Sequence, residues 1–196
     1  MGELTNAKFN LDNTPYYEPQ LIRAVSWADI LIPTPTDQVN VKIINVAGPN
    51  LKLIANFGVG VNHIDLEAAE AKGIQVSNTP DVLTEDTADL AMGSFIMASW
   101  RFGECERMVR AGAWTGDAYS VDAPARGRIA AAGLDVFDGE PHVNPKLMDL
   151  ENVILLPHLR FATIEGCVAM GDKVILNAKR STDGYPLPDE LKFDLL

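Results

Sequence analysis

Basic residues are scarce in this chain. Sixteen lysines and arginines stand against 27 aspartates and glutamates, a formal net charge of −11 over 196 residues. Such a surface repels phosphate backbones and anionic lipid headgroups, so neither nucleic acid nor a membrane is expected as a partner. Long hydrophobic runs are missing too. The longest nearly apolar stretch, Leu90 to Trp100, is interrupted by Ser94 and Ser99 and falls short of the roughly 20 residues a spanning helix needs. It is expected to be a buried helix. The opening Met1-Gly2-Glu3-Leu4-Thr5-Asn6 has neither an apolar signal core nor the hydroxyl residue of a myristoylation signal, so no export is expected. Cysteine is almost absent. Cys105 and Cys167 are far apart, each in a helical pattern, which suggests neither a disulfide framework nor a metal site; two thiols in a reducing cytoplasm are expected. Histidine is limited to His63, His142 and His158, so imidazole chemistry has three candidates.

What is present is an ordinary globular balance, 47% apolar and 22% charged, enough for a sizeable core in one or two domains. After a polar start containing Pro15 and Pro19, Ala28 to Ile32 reads as a short buried strand ended by Pro33 and Pro35. Leu51 to Phe57 and Ile74 to Ser77 read as further strands. Between them Asp65 to Gly73 begins with a capping aspartate and ends in glycine, a helix signature. Strand, helix and strand imply an open α/β sheet, whose ligands gather at the carboxyl ends of the strands. From Thr84 to about Gly112 the apolar spacing predicts one long helix or two in succession. Thr115 to Pro124 has no periodicity and is expected to mark a boundary. A helix end at Ala125 to Arg128, strands at Gly133–Phe137 and Asn152–Leu156, and a helix from about Thr163 to Arg180 complete the pattern.

His158 closes the Asn152–Leu156 strand, directly after Pro157, and Glu140 lies in a Gly139-Glu140-Pro141 turn after the preceding strand. If the two strands are neighbours, their ends can bring carboxylate and imidazole within hydrogen-bond reach, an arrangement that fixes the tautomer and suits a general acid. The competing reading is a strand-end histidine that only satisfies local hydrogen bonds. His63 and His142 end no buried strand and are expected at the surface. Trp27, Trp100 and Trp114 are expected as packing anchors, and Asp189-Glu190 as a solvated end.

The run from Leu51 to Asp65 that contains Gly58-Val59-Gly60-Val61, together with Val76 to Pro80 and Leu83 to Asp89, resembles the D-isomer-specific 2-hydroxyacid dehydrogenases. Gly127 to Pro141 and Asn152 to His158 resemble the two family segments that supply a catalytic glutamate and histidine; the likeness leans toward glyoxylate/hydroxypyruvate reductases and glycerate dehydrogenases. The resemblance implies roles. His158 would protonate a substrate carbonyl and Glu140 would hold that histidine. Gly58, Val59, Gly60 and Val61 would offer backbone amides to the substrate carboxylate. Asp135 would accept a hydrogen bond from a nicotinamide carboxamide, and Thr87 would lie near the NAD or NADP cofactor. No metal is implied.

Departures from the family pattern are equally specific. Only Gly116 to Arg126 fills the interval where family members carry a glycine-rich dinucleotide fingerprint and several βαβ units. Gly58-x-Gly60-x-x-His63 imitates that fingerprint but belongs to the substrate loop. The family's carboxylate-pinning arginine would lie in the missing interval, and Arg126 is not assigned that role. Asn62 stands where an aspartate is usual, and Leu159-Arg160-Phe161 replaces a small Gly-Ser stretch.

The fold implied is α/β: a flavodoxin-like parallel-sheet substrate domain, residues 1–83 with 163–196, and an interdomain helix plus a remnant of a Rossmann-type domain, residues 84–162. The activity implied is hydride transfer between a nicotinamide cofactor and a small 2-keto or 2-hydroxy acid, weak or absent in this chain alone. The other reading is a truncated, internally deleted or engineered substrate domain that binds small carboxylates or self-associates as a homo-oligomer.

Overall fold

A computed structural model describes residues 6–11, 14–116, 131–159 and 162–192. The expected helix end at Ala125 to Arg128, Arg126 itself, and Arg160-Phe161 lie outside the described residues. The chain divides into two compact units, Met1–Val82 with Ile164–Leu196, and Leu83–Thr163. Both are α/β with parallel strands. The divisions fall at 82/83 and 163/164; the aperiodic stretch beyond Gly116, where a boundary is expected, lies outside the described residues.

In the first unit, helix α1 (Glu18–Val25) leads to strand β1 (Ile30–Leu31), α2 (Val41–Val46), β2 (Leu53–Ala55), α3 (Leu66–Ala71) and β3 (Gln75–Ser77), and the long α7 (Ile164–Thr182) returns at the chain's end. The strands form a parallel sheet in the order β1-β2-β3, with Ile54 opposite both Leu31 and Val76. Side chains alternate across a strand, and β2 uses both faces. Ile54 joins Leu21, Val25, Ile43, Ile44 and Ala69 on the face covered by the first three helices. Leu53 and Ala55 join Val174 of α7 and Leu187 on the other.

Local signals explain the helix starts. Asn40 caps α2 by accepting from the Lys42 and Ile43 amides at 3.0 and 3.2 Å, and Asp65 caps α3 through the Ala68 amide at 3.0 Å. Neither α1 nor α2 is apparent in the sequence pattern. Pro19 looks like a breaker, yet it sits in the first turn of α1, where a missing N–H costs nothing. The β-branched run of α2 reads poorly as helix, and burial of Ile43 and Ile44 overrides that weak propensity.

Asp189-Glu190 is not a solvated end. Leu191 donates to the Val76 carbonyl at 2.9 Å, so the segment lies along β3. Asp189 accepts from Lys173 Nζ at 2.7 Å and from Asn177 Nδ2 at 2.9 Å. Asn177 is wholly buried on α7, and a buried amide demands partners.

The second unit contains α4 (Thr84–Ser99), α5 (Phe102–Arg110), β4 (Ala132–Leu134), α6 (Pro145–Met148) and β5 (Val153–Leu155). Arg101, in the left-handed region at φ 54°, separates α4 from α5. Strands β4 and β5 pair in parallel, Leu134 opposite Leu155. Gly133 lets α4 approach β4: a Cβ there would stand 2.9 Å from the Ser94 Cβ. Contrary to expectation, α4 has no buried residue, and Met92, Phe95 and Ile96 are exposed. Two short strands offer too little surface to cover the Leu90–Ala98 part of the helix, which is apolar on several sides. The tryptophans are not packing anchors either, since Trp27, Trp100 and Trp114 all lie exposed. Trp27 instead carries the Lys8 ammonium 4.3 Å above its ring. Cys105 and Cys167 form no disulfide. Among the described residues no helix is long and apolar enough to cross a membrane, and no group of histidine, cysteine and carboxylate side chains could hold a metal ion.

Candidate active site

Because β4 and β5 run parallel and in register, their carboxyl ends lie side by side, and the residues that leave them emerge at one edge. After β4 the chain turns through Asp138-Gly139-Glu140, with Gly139 at φ 77°, a conformation that suits glycine. The turn folds the Glu140 carboxylate back, and its Oε1 accepts from the Phe137 amide at 2.8 Å. After β5, His158 is held at φ 56°, in the left-handed region that a histidine seldom adopts. The two side chains meet: His158 Nδ1 lies 2.6 Å from Glu140 Oε2. The carboxylate is an acceptor, so Nδ1 carries the hydrogen, and Nε2 is the ring nitrogen through which a proton can be exchanged. Both side chains are largely shielded, with 21% and 31% of their surface exposed, so the pair is neither fully screened nor sealed from a ligand.

Asp135 stands at the same edge, immediately after β4. Its Oδ1 accepts from the Leu159 amide at 2.7 Å, which ties the chain beyond His158 to the end of β4. Thr87 lies exposed in the first turn of α4, its amide bonded to the Leu83 carbonyl. Among the described residues no hydrogen bond joins Thr87 to the His158–Glu140 pair.

In the first unit, Gly58-Val59-Gly60-Val61 follows β2. All four carbonyls are engaged by the protein. Gly58 accepts from the Thr79 amide and from Asn56 Nδ2, Val59 from Asn78 Nδ2, Gly60 from Asn56 Nδ2, and Val61 from the Ile64 amide. No amide of these four residues donates to a described protein acceptor. A Cβ built on Gly60 would meet nothing within 4 Å, so its outer side is open to a ligand. Nearby, the Thr79 hydroxyl is buried with no partner among the described residues.

Asn56, Asn78 and Thr79 escape sequence reasoning; the signal they offer is a polar residue at or just past the end of a buried strand, where a side chain must bond to the loop beside it. His63 is not a surface residue. It is half-buried, its Nε2 lies 3.0 Å from Asn56 Oδ1, and burial lowers its pKa, an effect opposed by the charge of Asp37. His142, by contrast, is exposed.

The family model for D-isomer specific 2-hydroxyacid dehydrogenase, catalytic domain, matches residues 3–192. A glyoxylate/hydroxypyruvate reductase A of Arabidopsis thaliana is 28% identical over 243 aligned residues, covering 71% of this chain and 78% of that protein. The alignment is longer than the 196-residue chain, so it passes over residues of the relative that have no counterpart here. A D-isomer specific 2-hydroxyacid dehydrogenase, NAD-binding, from a Polaromonas species shares the fold with a TM-score of 0.81 at 23% identity, over 93% of this chain and 92% of that one. An NADPH-dependent glyoxylate/hydroxypyruvate reductase from Sinorhizobium meliloti, solved with NADP and malonate, matches with a TM-score of 0.70 at 22% identity over 83% of each chain. Matched along nearly its whole length, this chain belongs to the D-isomer specific 2-hydroxyacid dehydrogenase family.

Proposed function

We propose that this chain carries the proton-transfer and carboxylate-binding parts of a reductase for small 2-keto acids of the glyoxylate and hydroxypyruvate class. The observation that carries the reading is the 2.6 Å bond between His158 Nδ1 and Glu140 Oε2 at adjacent strand ends. Glu140 fixes the ring's tautomer and orientation, and His158 delivers a proton from Nε2 to the substrate carbonyl oxygen. The amides of Gly58 to Val61 receive the substrate carboxylate. Asp135 and Thr87 face the cofactor in this reading, with the Asp135 carboxylate accepting from a nicotinamide carboxamide. A nicotinamide dinucleotide in its reduced form, NADH or NADPH, would supply the hydride and leave as NAD or NADP.

The described residues do not fit the whole of that dinucleotide. A pyrophosphate needs a glycine-rich turn from strand into helix, and among the described residues the second unit has none. The Gly58–Gly60 loop is no substitute, because its third glycine position is His63, bonded to Asn56. This chain alone therefore turns over little or not at all. The same misfit favours a second reading, a domain that binds small carboxylates without catalysis. The exposed Met92, Phe95 and Ile96, spaced along one side of α4, support self-association in either case, and a reducing cytoplasm suits the two thiols.

Fluorescence titration with NADH and NADPH separates the readings. Saturable binding, with glyoxylate-dependent NADH oxidation that falls by about 10²–10⁴-fold in His158→Gln, supports the enzyme. Flat traces at millimolar cofactor leave the carboxylate-binding domain.

A further inference from the structure

In a trans peptide the carbonyl of one residue and the amide of the next point to opposite sides. Whatever draws a carbonyl inward therefore turns the following N–H outward. In the loop after β2, one side chain does this twice. Asn56 is wholly buried, and its Nδ2 donates to the carbonyls of Gly58 and Gly60, both at 2.9 Å. Those two bonds use both amide protons. They turn the N–H groups of Val59 and Val61 away from the interior. Asn78 Nδ2, donating to the Val59 carbonyl at 2.8 Å on the loop's exposed side, fixes the next peptide and with it the direction of the Gly60 amide, away from Asn78.

With Nδ2 committed, Asn56 Oδ1 can only accept, so the hydrogen between it and His63 must sit on His63 Nε2. The backbone amide of Asn56 is bonded to the Ser77 carbonyl at 2.8 Å, which anchors the residue to β3. Every polar atom of the side chain thus has a stated task.

We propose that Asn56, oriented by His63, is the positioning residue that presents the amides of Val59 and Val61 as an anion site, with Asn78 presenting that of Gly60. This rests on the reading that the loop takes a substrate carboxylate and names what makes it competent to do so. Asn56→Asp is the sharpest perturbation, since it removes both donors and sets a carboxylate against two carbonyl oxygens. His63→Phe deletes the donor to Oδ1, whereas His63→Gln restores an N–H of similar reach.

The test is an NMR titration of the full chain with oxalate, following the amides of Val59, Gly60 and Val61, together with the heteronuclear NOE of the same amides without oxalate. Oxalate is expected to move all three resonances, with affinity at least tenfold weaker in Asn56→Asp, several-fold weaker in His63→Phe and near wild type in His63→Gln. The loop amides are expected to lose order in Asn56→Asp and His63→Phe. A folded Asn56→Asp variant that binds oxalate like wild type overturns the proposal, as do His63→Phe and His63→Gln that behave alike. Should Asn56→Asp not fold, the His63 pair decides. If the wild-type chain binds no oxalate, the carboxylate reading fails, and the ligand-free NOE alone judges the positioning role: unchanged loop order in the variants contradicts it.

Discussion

Ile54, in the central strand of the first unit, is completely buried, whereas Phe95, in the longest helix of the second, keeps 67% of its surface in solvent. The contrast extends beyond these two residues. Leu53, Val76, Val174 and their neighbours close both faces of the β1-β2-β3 sheet, while Leu83 and Val153 are the buried hydrophobic residues among those described between Leu83 and Thr163. A sheet covered on both sides derives its stability from burial. A pair of short strands beside exposed helices has little to bury and is marginal by itself. The His158–Glu140 pair belongs to that second kind of structure: the Phe137 amide on Glu140 and the Leu159 amide on Asp135 hold it, rather than a packed core.

Truncating one apolar side chain in each unit is expected to give the largest difference between them. Ile54→Ala is expected to cost about 2–5 kcal/mol, lost burial plus a cavity between two packed faces. Phe95→Ala is expected to change stability by no more than about 0.5 kcal/mol, since the ring is already in water. Equal losses in urea denaturation of the monomer would mean that the second unit has a core of its own.

A smaller effect, confined to the first unit, depends on pH. Burial holds His63 below its ordinary value of 6.5, with Asp37 opposing. Below 6.5 the unfolded chain therefore binds a proton that the folded chain resists. The contribution of His63 is present in full above that pH and is lost as pH falls through the folded-state value. Denaturation midpoints measured across this window are expected to fall with pH in the wild type and to fall less in His63→Gln. An unchanged slope would mean that burial does not hold down the His63 pKa.

The sequence makes the two regions legible to different degrees. The β2-α3-β3 segment is readable because the unbroken apolar run Leu53 to Ala55, buried on both faces, and the Asp65 cap are local signals. Glu140 and His158 are readable as a pair because both follow strands, although the strand pairing that unites them is not local. The first two helices are hidden for opposite reasons, a proline that is harmless in a first turn and a β-branched run that burial forces into a helix. The exposure of α4 and of Trp100 is invisible, because an apolar pattern states what a segment would bury and not whether anything is there to cover it. The role of Asn56 depends on three partners that only the folded loop supplies.

The central claim, that Glu140 fixes the His158 imidazole with its hydrogen on Nδ1, is tested most directly by nitrogen-15 NMR of the histidine side chains. In the wild type, His158 is expected to show an Nδ1-bound proton shielded from rapid solvent exchange, and Glu140→Ala is expected to abolish that signal while the spectrum of the first unit stays unchanged. A His158 ring whose signal is the same in Glu140→Ala, or whose Nδ1 bears no proton in the wild type, contradicts the account.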